Sequence, residues 1–187
     1  MSAIPAFDIG VWNAWILYMP VILTIPFYLH IEKKRGSSPS RETNASKMEK
    51  TISYSITSLD FIAMIYSVFL PLKLWTQWFY VGLPVALLGI IGIIMTLVNW
   101  ATTPPDAPIT RGLYRYSRNP AYVAEILIHL GVGIAAASWL FLVYSVVYMV
   151  GISAYIHTEE EGCLGKYGNS YREYMSKTPR WIGIPKS

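Results

Sequence analysis

Long apolar runs alternate with short polar and basic segments along the whole chain. A helix needs about 20 mostly apolar residues to cross the hydrocarbon core of a bilayer. Three runs reach that length: roughly 11–31, interrupted by Pro20 and Pro26, roughly 52–72, and roughly 78–100, the most uniformly apolar. The stretch 120–157 is too long for one crossing and about right for two. It folds back most naturally in the small-residue run from Gly131 to Ser138, which predicts a tight helical hairpin over about 120–136 and 139–157. A single kinked helix is the alternative. Segment 36–47 is polar and loop-like, a connector between the first two runs. Strand patterns are absent. The expected fold is therefore an all-α integral membrane protein of about five transmembrane helices, one membrane domain over 1–187.

Composition supports lipid as the solvent. Hydrophobic residues make up 53% and charged residues 14%, where about 25% charged is usual. Mean hydropathy is +0.38. This excludes a disordered chain and an ordinary cytosolic enzyme. A lone cysteine, Cys163, excludes a disulfide scaffold. The pI near 9.1 would suit nucleic acid, but the basic residues flank apolar runs, as membrane topology signals do. No nucleic-acid partner is expected.

Six basic side chains lie in 32–50 (Lys33, Lys34, Arg35, Arg41, Lys47, Lys50). Three lie in 101–119 (Arg111, Arg115, Arg118) and five after His157 (Lys166, Arg172, Lys177, Arg180, Lys186). Five crossings put these segments on one face, leaving only Lys73 of the 15 Lys and Arg on the other. The expectation is an outside N-terminus and a cytoplasmic C-terminus, in a plasma or endoplasmic reticulum membrane. Four crossings would split the basic tail from the other basic segments. The first run has no basic residue before it and exceeds a signal-peptide core in length, so it is expected to stay in the mature protein. Tryptophans at 12, 15, 75, 78, 100 and 139 fit aromatic belts.

Polar residues at membrane depth are costly and call for an explanation. Arg118, Tyr122, Glu125 and His129 are spaced four, three and four, one helical stripe that must face protein or a wet cavity. Asn119 is a natural N-cap and Pro120 suits the first helical position. The exposed N–H groups there, with Arg115 and Arg118, make an anion site, or the arginines simply reach lipid phosphate. Tyr144, Tyr148, Tyr155 and Glu159 form a second stripe running into Glu159-Glu160-Glu161. Three consecutive acids are ordinarily a solvated face. Opposite an arginine cluster, at least one is expected to be paired or to bind a ligand. Downstream tyrosines 171 and 174 predict a short interfacial helix that closes a pocket over the hairpin, or only anchors the tail.

Other signals are weaker. Asp60 is read as a structural partner, Asn99 as the end of the third span and His30 as an interface residue. No metal site is expected. His30, His129 and His157 belong to different elements, and CxxC, HExxH and GxxxxGK are absent. The glycine-rich stretch 82–92 reads as helix-packing material.

Gly112-Leu113-Tyr114-Arg115-Tyr116-Ser117-Arg118-Asn119-Pro120-Ala121-Tyr122 resembles the GxYxxxRHPxY motif of membrane methyltransferases, among them the isoprenylcysteine carboxyl methyltransferases and phospholipid N-methyltransferases. Glu159-Glu160, Tyr167-Gly168, Tyr171, Tyr174 and Pro179-Arg180 resemble their second motif, EExxLxxxFGxxYxxYxxxxPR. The resemblance covers about residues 110–181. Asn119 stands where histidine is commonest, Cys163 at the usual leucine, Tyr167 at the phenylalanine, and His157 where some members have arginine.

The resemblance implies S-adenosylmethionine as methyl donor and S-adenosylhomocysteine as product. It implies a cytoplasmic cofactor-binding segment in 111–187 and an acceptor side in 1–110. It points to Leu113, Tyr114, Arg118, Asn119, Pro120, Tyr122, Glu159, Glu160, Tyr171 and Arg180 as cofactor contacts. The donor's carboxylate suits the helix N-terminus with Arg118. Its ammonium or ribose suits Glu159 or Glu160, and Tyr122 and the tail suit the adenine. The implied acceptor is lipid-like or prenylated, with carboxyl methylation of the isoprenylcysteine type first and phospholipid amine methylation next. Alignment by Arg118 and exclusion of water carry the rate. An amine acceptor would also need a base, Glu125 or His129.

Sterol and steroid reductases that use NADPH share part of the first motif, RHPNYxGE, through Tyr122 and Glu125. Ala124 replaces their glycine, and the Glu159-Glu160 pair favours the methyltransferase. A non-catalytic membrane scaffold is the third reading. Oligomeric state is not legible.

Overall fold

The structure is a computed structural model that describes residues 7–35 and 47–185. Its helices are α1 (Trp15–Arg35), α2 (Lys47–Ser67), α3 (Gln77–Ala101), α4 (Pro120–Ala135), α5 (Trp139–Tyr167) and α6 (Asn169–Lys177), with a 3-10 turn at Gly112–Arg115. Among the described residues, extended pairing is limited to one isolated bridge between Asn13 and Pro71. The connector expected at 36–47 lies outside the described residues except for Lys47, where α2 begins.

Among the described residues, three helices have the length and composition to cross a membrane: Trp15–Lys33 within α1, α3 and α5. Helix α4 is apolar but shorter. Helix α2 carries serines, threonines and Asp60 between its apolar residues, yet still turns Phe61, Ile62 and Ile65 outward. Exposed apolar side chains on α1, α3 and α5 make the outer surface oily and the interior comparatively polar, as a lipid solvent requires.

Several boundaries move from those the pattern predicts. Pro20 and Pro26 sit inside one continuous helix rather than interrupting it. The apolar run Leu70-Pro71-Leu72 is not helical. Its backbone is used for pairing instead: Ala14 N–H donates to Leu70 O at 2.8 Å and Leu72 N–H to Trp12 O at 3.0 Å. The Asn13 side-chain amide donates to Asp8 O at 2.6 Å and Val68 O at 2.7 Å. Helix α5 continues past His157 to Tyr167, which puts Glu159, Glu160 and Glu161 on helix rather than in a tail.

The hairpin folds back where expected. Ala137 takes φ 50, and Ser138 caps α5 by accepting from Phe141 N–H at 3.3 Å. Lys73 N–H donates to Ala135 O at 3.0 Å. The N-terminal segment, the α2–α3 connector and the hairpin turn therefore meet at one end of the bundle. The loop after α3, the end of α5 and the tail meet at the other, with Tyr28 of α1 stacked on Trp100 of α3 at 4.7 Å.

Helices α3 and α4 form the closest pair, through small residues. A methyl group on Gly131 would sit 2.6 Å from Ala86 Cα, and one on Gly89 would sit 2.5 Å from Ala124 O. One on Gly82 would strike the backbone N of Ala135. Small faces let two helix backbones approach until dispersion holds them. This is the packing role expected of 82–92.

Candidate functional site

The first motif is shaped by its glycine. Gly112 has φ +62, and a side chain there would meet Asn99 Oδ1 at 2.5 Å. The turn that follows is tied to the tail. The Tyr174 hydroxyl donates to Tyr114 O at 2.6 Å and lies 3.3 Å from Ser117 O. Arg118 N–H donates to Pro179 O at 2.9 Å, and Gly183 N–H to Tyr116 O at 3.0 Å. Burial pushes the Tyr171 and Tyr174 phenols above their ordinary range, so both stay neutral donors.

Asn119 does not cap α4 with its side chain, contrary to the expectation. That amide donates to Arg180 O at 3.1 Å and lies 3.5 Å from Glu160 Oε1. Asn119 N–H instead donates to Ser117 Oγ at 3.0 Å. The tail competes for the amide because it lies across the helix start. Pro120 does occupy the first turn. Arg115 is exposed.

Glu160 is the centre of the site's electrostatics. It is 3% exposed. Its Oε1 lies 3.3 Å from Arg118 Nε, and its Oε2 accepts from Arg180 Nε at 3.1 Å and Nη2 at 2.7 Å. Three segments, α5, the motif turn and the tail, thus converge on one buried carboxylate. Two guanidinium groups against one carboxylate leave a net positive charge. Arg118 Nε is also buried without a hydrogen-bond acceptor.

Beside this node lies a cavity of about 510 Å³, within the usual range for small-molecule sites. Of the residues singled out from the sequence, Tyr114, Arg118, Asn119, Tyr122, Glu125, Glu159, Glu160 and Tyr171 line it. Leu113, Pro120, His129 and Arg180 do not. Tyr122 hydrogen-bonds Glu159 across the cavity wall. His157 is exposed and pairs with Glu161 at 3.4 Å.

The opposite wall was not legible. Val21, Thr24, Ile25 and Tyr28 come from α1, and Ile93, Thr96, Leu97 and Trp100 from α3. Each set has helical spacing, but lipid-facing residues around the same helices hide that period. Cys163, which stands at the usual leucine of the second motif, also lines the cavity.

Deeper in the bundle, His129 is 3% exposed. Its Nε2 lies 3.1 Å from Asp60 Oδ1, and Tyr144 donates to the same oxygen at 2.8 Å. Asp60 thus has the partners expected of it. Tyr148 donates to Glu125. Among the described residues, no group of His, Cys, Asp and Glu has the makings of a metal site.

Residues 76–170 match the family model described as phospholipid methyltransferase. The protein-S-isoprenylcysteine O-methyltransferase of Schizosaccharomyces pombe is 35% identical over 78 residues. That match takes in 41% of this chain and 32% of the relative, so the chain spans about a third of the length of the curated relative it matches.

Proposed function

Because the chain belongs to the phospholipid methyltransferase family, we propose that it transfers a methyl group from S-adenosylmethionine to the polar end of a lipid-like acceptor within this cavity. One observation carries the reading. A single cavity is lined both by charged and aromatic residues of the two sequence motifs and by mostly apolar residues of α1 and α3.

The wall chemistry fits the donor. S-adenosylmethionine supplies an electrophilic methyl on a sulfonium. Its carboxylate is matched by the net positive node, with Arg118 beside the N-terminus of α4. Its ammonium or ribose hydroxyls are matched by Glu159, and its adenine by Tyr122, Tyr171 and their aromatic neighbours. Glu160 serves by holding both arginines in place. Leu113, Pro120 and Arg180, off the cavity surface, position the residues that line it. The apolar α1 and α3 wall takes the acceptor's hydrocarbon, so 1–110 shapes the acceptor side and 111–187 the donor side.

The partial similarity to the isoprenylcysteine enzyme supports a carboxylate acceptor, which needs only alignment and exclusion of water. A second reading, an amine acceptor, is favoured by Glu125 in the cavity wall, where a carboxylate repels an anion and receives a proton from an ammonium. The pattern of basic residues along the sequence supports a cytoplasmic site in a multi-pass chain with its N-terminus outside.

Thermal unfolding in detergent with S-adenosylhomocysteine or NADPH tests the reading. A ligand at 100 times its Kd adds about 2.7 kcal/mol. A rise in Tm with S-adenosylhomocysteine that Glu159→Ala removes is the expected result. A rise with NADPH alone overturns it in favour of a reductase.

A further inference from the structure

The tail is strapped to the motif turn, yet it turns two isoleucines away from the protein. Pro179 O accepts from Arg118 N–H at 2.9 Å and Arg180 O from the Asn119 amide at 3.1 Å. Gly183 N–H donates to Tyr116 O at 3.0 Å, which lays the strap beside the turn. Trp181 packs inward on the cluster of Ile56, Tyr148 and Ile152. Ile182 and Ile184, by contrast, are 72% and 90% exposed, and Tyr116 beside them is exposed too. Arg111 and Arg115, at the two ends of the 3-10 turn, are exposed cations. Apolar side chains next to cations suit the boundary between lipid headgroups and acyl chains. The height of the patch is set by α3. Trp78 and Trp100 of that helix lie about 33 Å apart along its axis, close to the roughly 30 Å hydrocarbon core, so they mark its two interfaces. Asn99, next to Trp100, packs against Gly112 at the start of the turn. The turn and the strap therefore sit at interfacial depth.

We propose that Arg111, Arg115, Tyr116, Ile182 and Ile184 form a docking surface for an anionic leaflet, and that this docking holds the strap closed over the cavity's charged node. The arginines meet lipid phosphates, and the isoleucines enter the upper acyl region. The docking stands by itself, whereas its effect on the donor rests on the reading of the cavity above. The strap carries Arg180, whose guanidinium donates to Glu160 Oε2 at 2.7 Å. Glu160 Oε1 in turn lies 3.3 Å from Arg118 Nε, and Arg118 lines the cavity. A strap lifted from the bilayer exposes its isoleucines to water and withdraws Arg180 from Glu160. Leaflet contact thus favours the state in which the node is complete. A basic side chain near an anionic surface strengthens binding by about 5-fold. By linkage, a ligand that needs the complete node and a leaflet that holds the strap strengthen one another's binding.

The test uses the full chain in nanodiscs of phosphatidylcholine, alone or with an equal part of phosphatidylglycerol. Cys163→Ser removes the one native thiol, and Ile184→Cys then carries a nitroxide. In the mixed disc the nitroxide is expected to be relaxed by oxygen and shielded from a water-soluble nickel complex. Nickel access equal to that of the free label in water overturns the docking and leaves the patch as a surface for a protein partner. The second measurement is S-adenosylhomocysteine affinity. Wild type is expected to bind several-fold tighter in the mixed disc, up to about 5-fold for each arginine, and the gain should fade at high salt. Arg111→Gln with Arg115→Gln is expected to bind equally in the two discs. Equal wild-type affinities overturn the effect on the node, and a gain that survives both substitutions overturns the role of the arginines. Absence of any wild-type binding in either disc counts against the methyltransferase reading instead, while the nitroxide still decides the docking.

Discussion

Helix α4 is held at two places by opposite physics. Along its middle it meets α3 through Gly82, Ala86, Gly89, Ala124 and Gly131, a seam of small residues where backbones nearly touch. At its start it meets α5 and the tail through Glu160, Arg118, Asn119 and Arg180, a buried node made of charge. The seam has no room for an added atom. The node has no partner to spare, since removing its one carboxylate strands two guanidinium groups. In lipid, apolar contact with a neighbour is worth little more than contact with a tail, so the seam depends on fit. Buried charge depends on completeness.

The sharpest way to break this contrast is at the node. Glu160→Ala is expected to cost about 3–5 kcal/mol, the usual penalty for leaving buried charge unpaired, read as a fall in Tm by circular dichroism in detergent. A cost no larger than that of a surface substitution would mean the node is solvated. The seam comes next. Gly131→Ala adds one carbon against the backbone of Ala86 and should cost about 1–3 kcal/mol. Gly165→Ala, a helical position with nothing within 4 Å, should instead gain up to about 1 kcal/mol. The pair separates crowding from helix propensity in one experiment.

Arg180→Ala sharpens the node itself. Its side chain is 39% exposed while that of Arg118 is 10% exposed, so its loss should cost about 1 kcal/mol, less than a fully buried charged hydrogen bond. Combined with Glu160→Ala it should add almost nothing, because the partner is already gone. The smallest effect lies on the surface. The Lys177 ammonium, 2.7 Å away, holds the exposed Glu173 carboxyl below the usual range. Such a pair is present above the ordinary carboxylate pKa of about 4.3 and is lost as pH falls below it. Glu173→Gln should leave Tm unchanged at neutral pH, since exposed pairs contribute little.

Much of the cavity lining from α4, α5 and the motif turn was legible because its residues lie close together in sequence. The stripe Arg118, Tyr122, Glu125 and His129 shares one helix face by spacing alone, and the hairpin turn follows from a run of small residues. What spacing did not reveal is who answers whom. Asn119 looks like a helix cap until the tail crosses it and takes its amide. Glu159 and Glu160 are adjacent and chemically identical, yet one bonds Tyr122 and the other is bound by two arginines. Arg118 and His129 share a stripe, but only the first reaches the cavity.

The sequence by itself determined the apolar helices, the turn between α4 and α5, the segregation of basic residues and the motif positions, because each depends on local period or on preference for lipid or water. Only the tertiary structure decided that α1 and α3 supply the second cavity wall, that the tail latches onto Glu160, and that Asp60 of α2 stands behind His129. Those contacts join residues far apart in the chain. In a membrane helix, the apolar residues facing lipid and those facing a neighbour are drawn from the same alphabet, so the sequence does not mark which face is which.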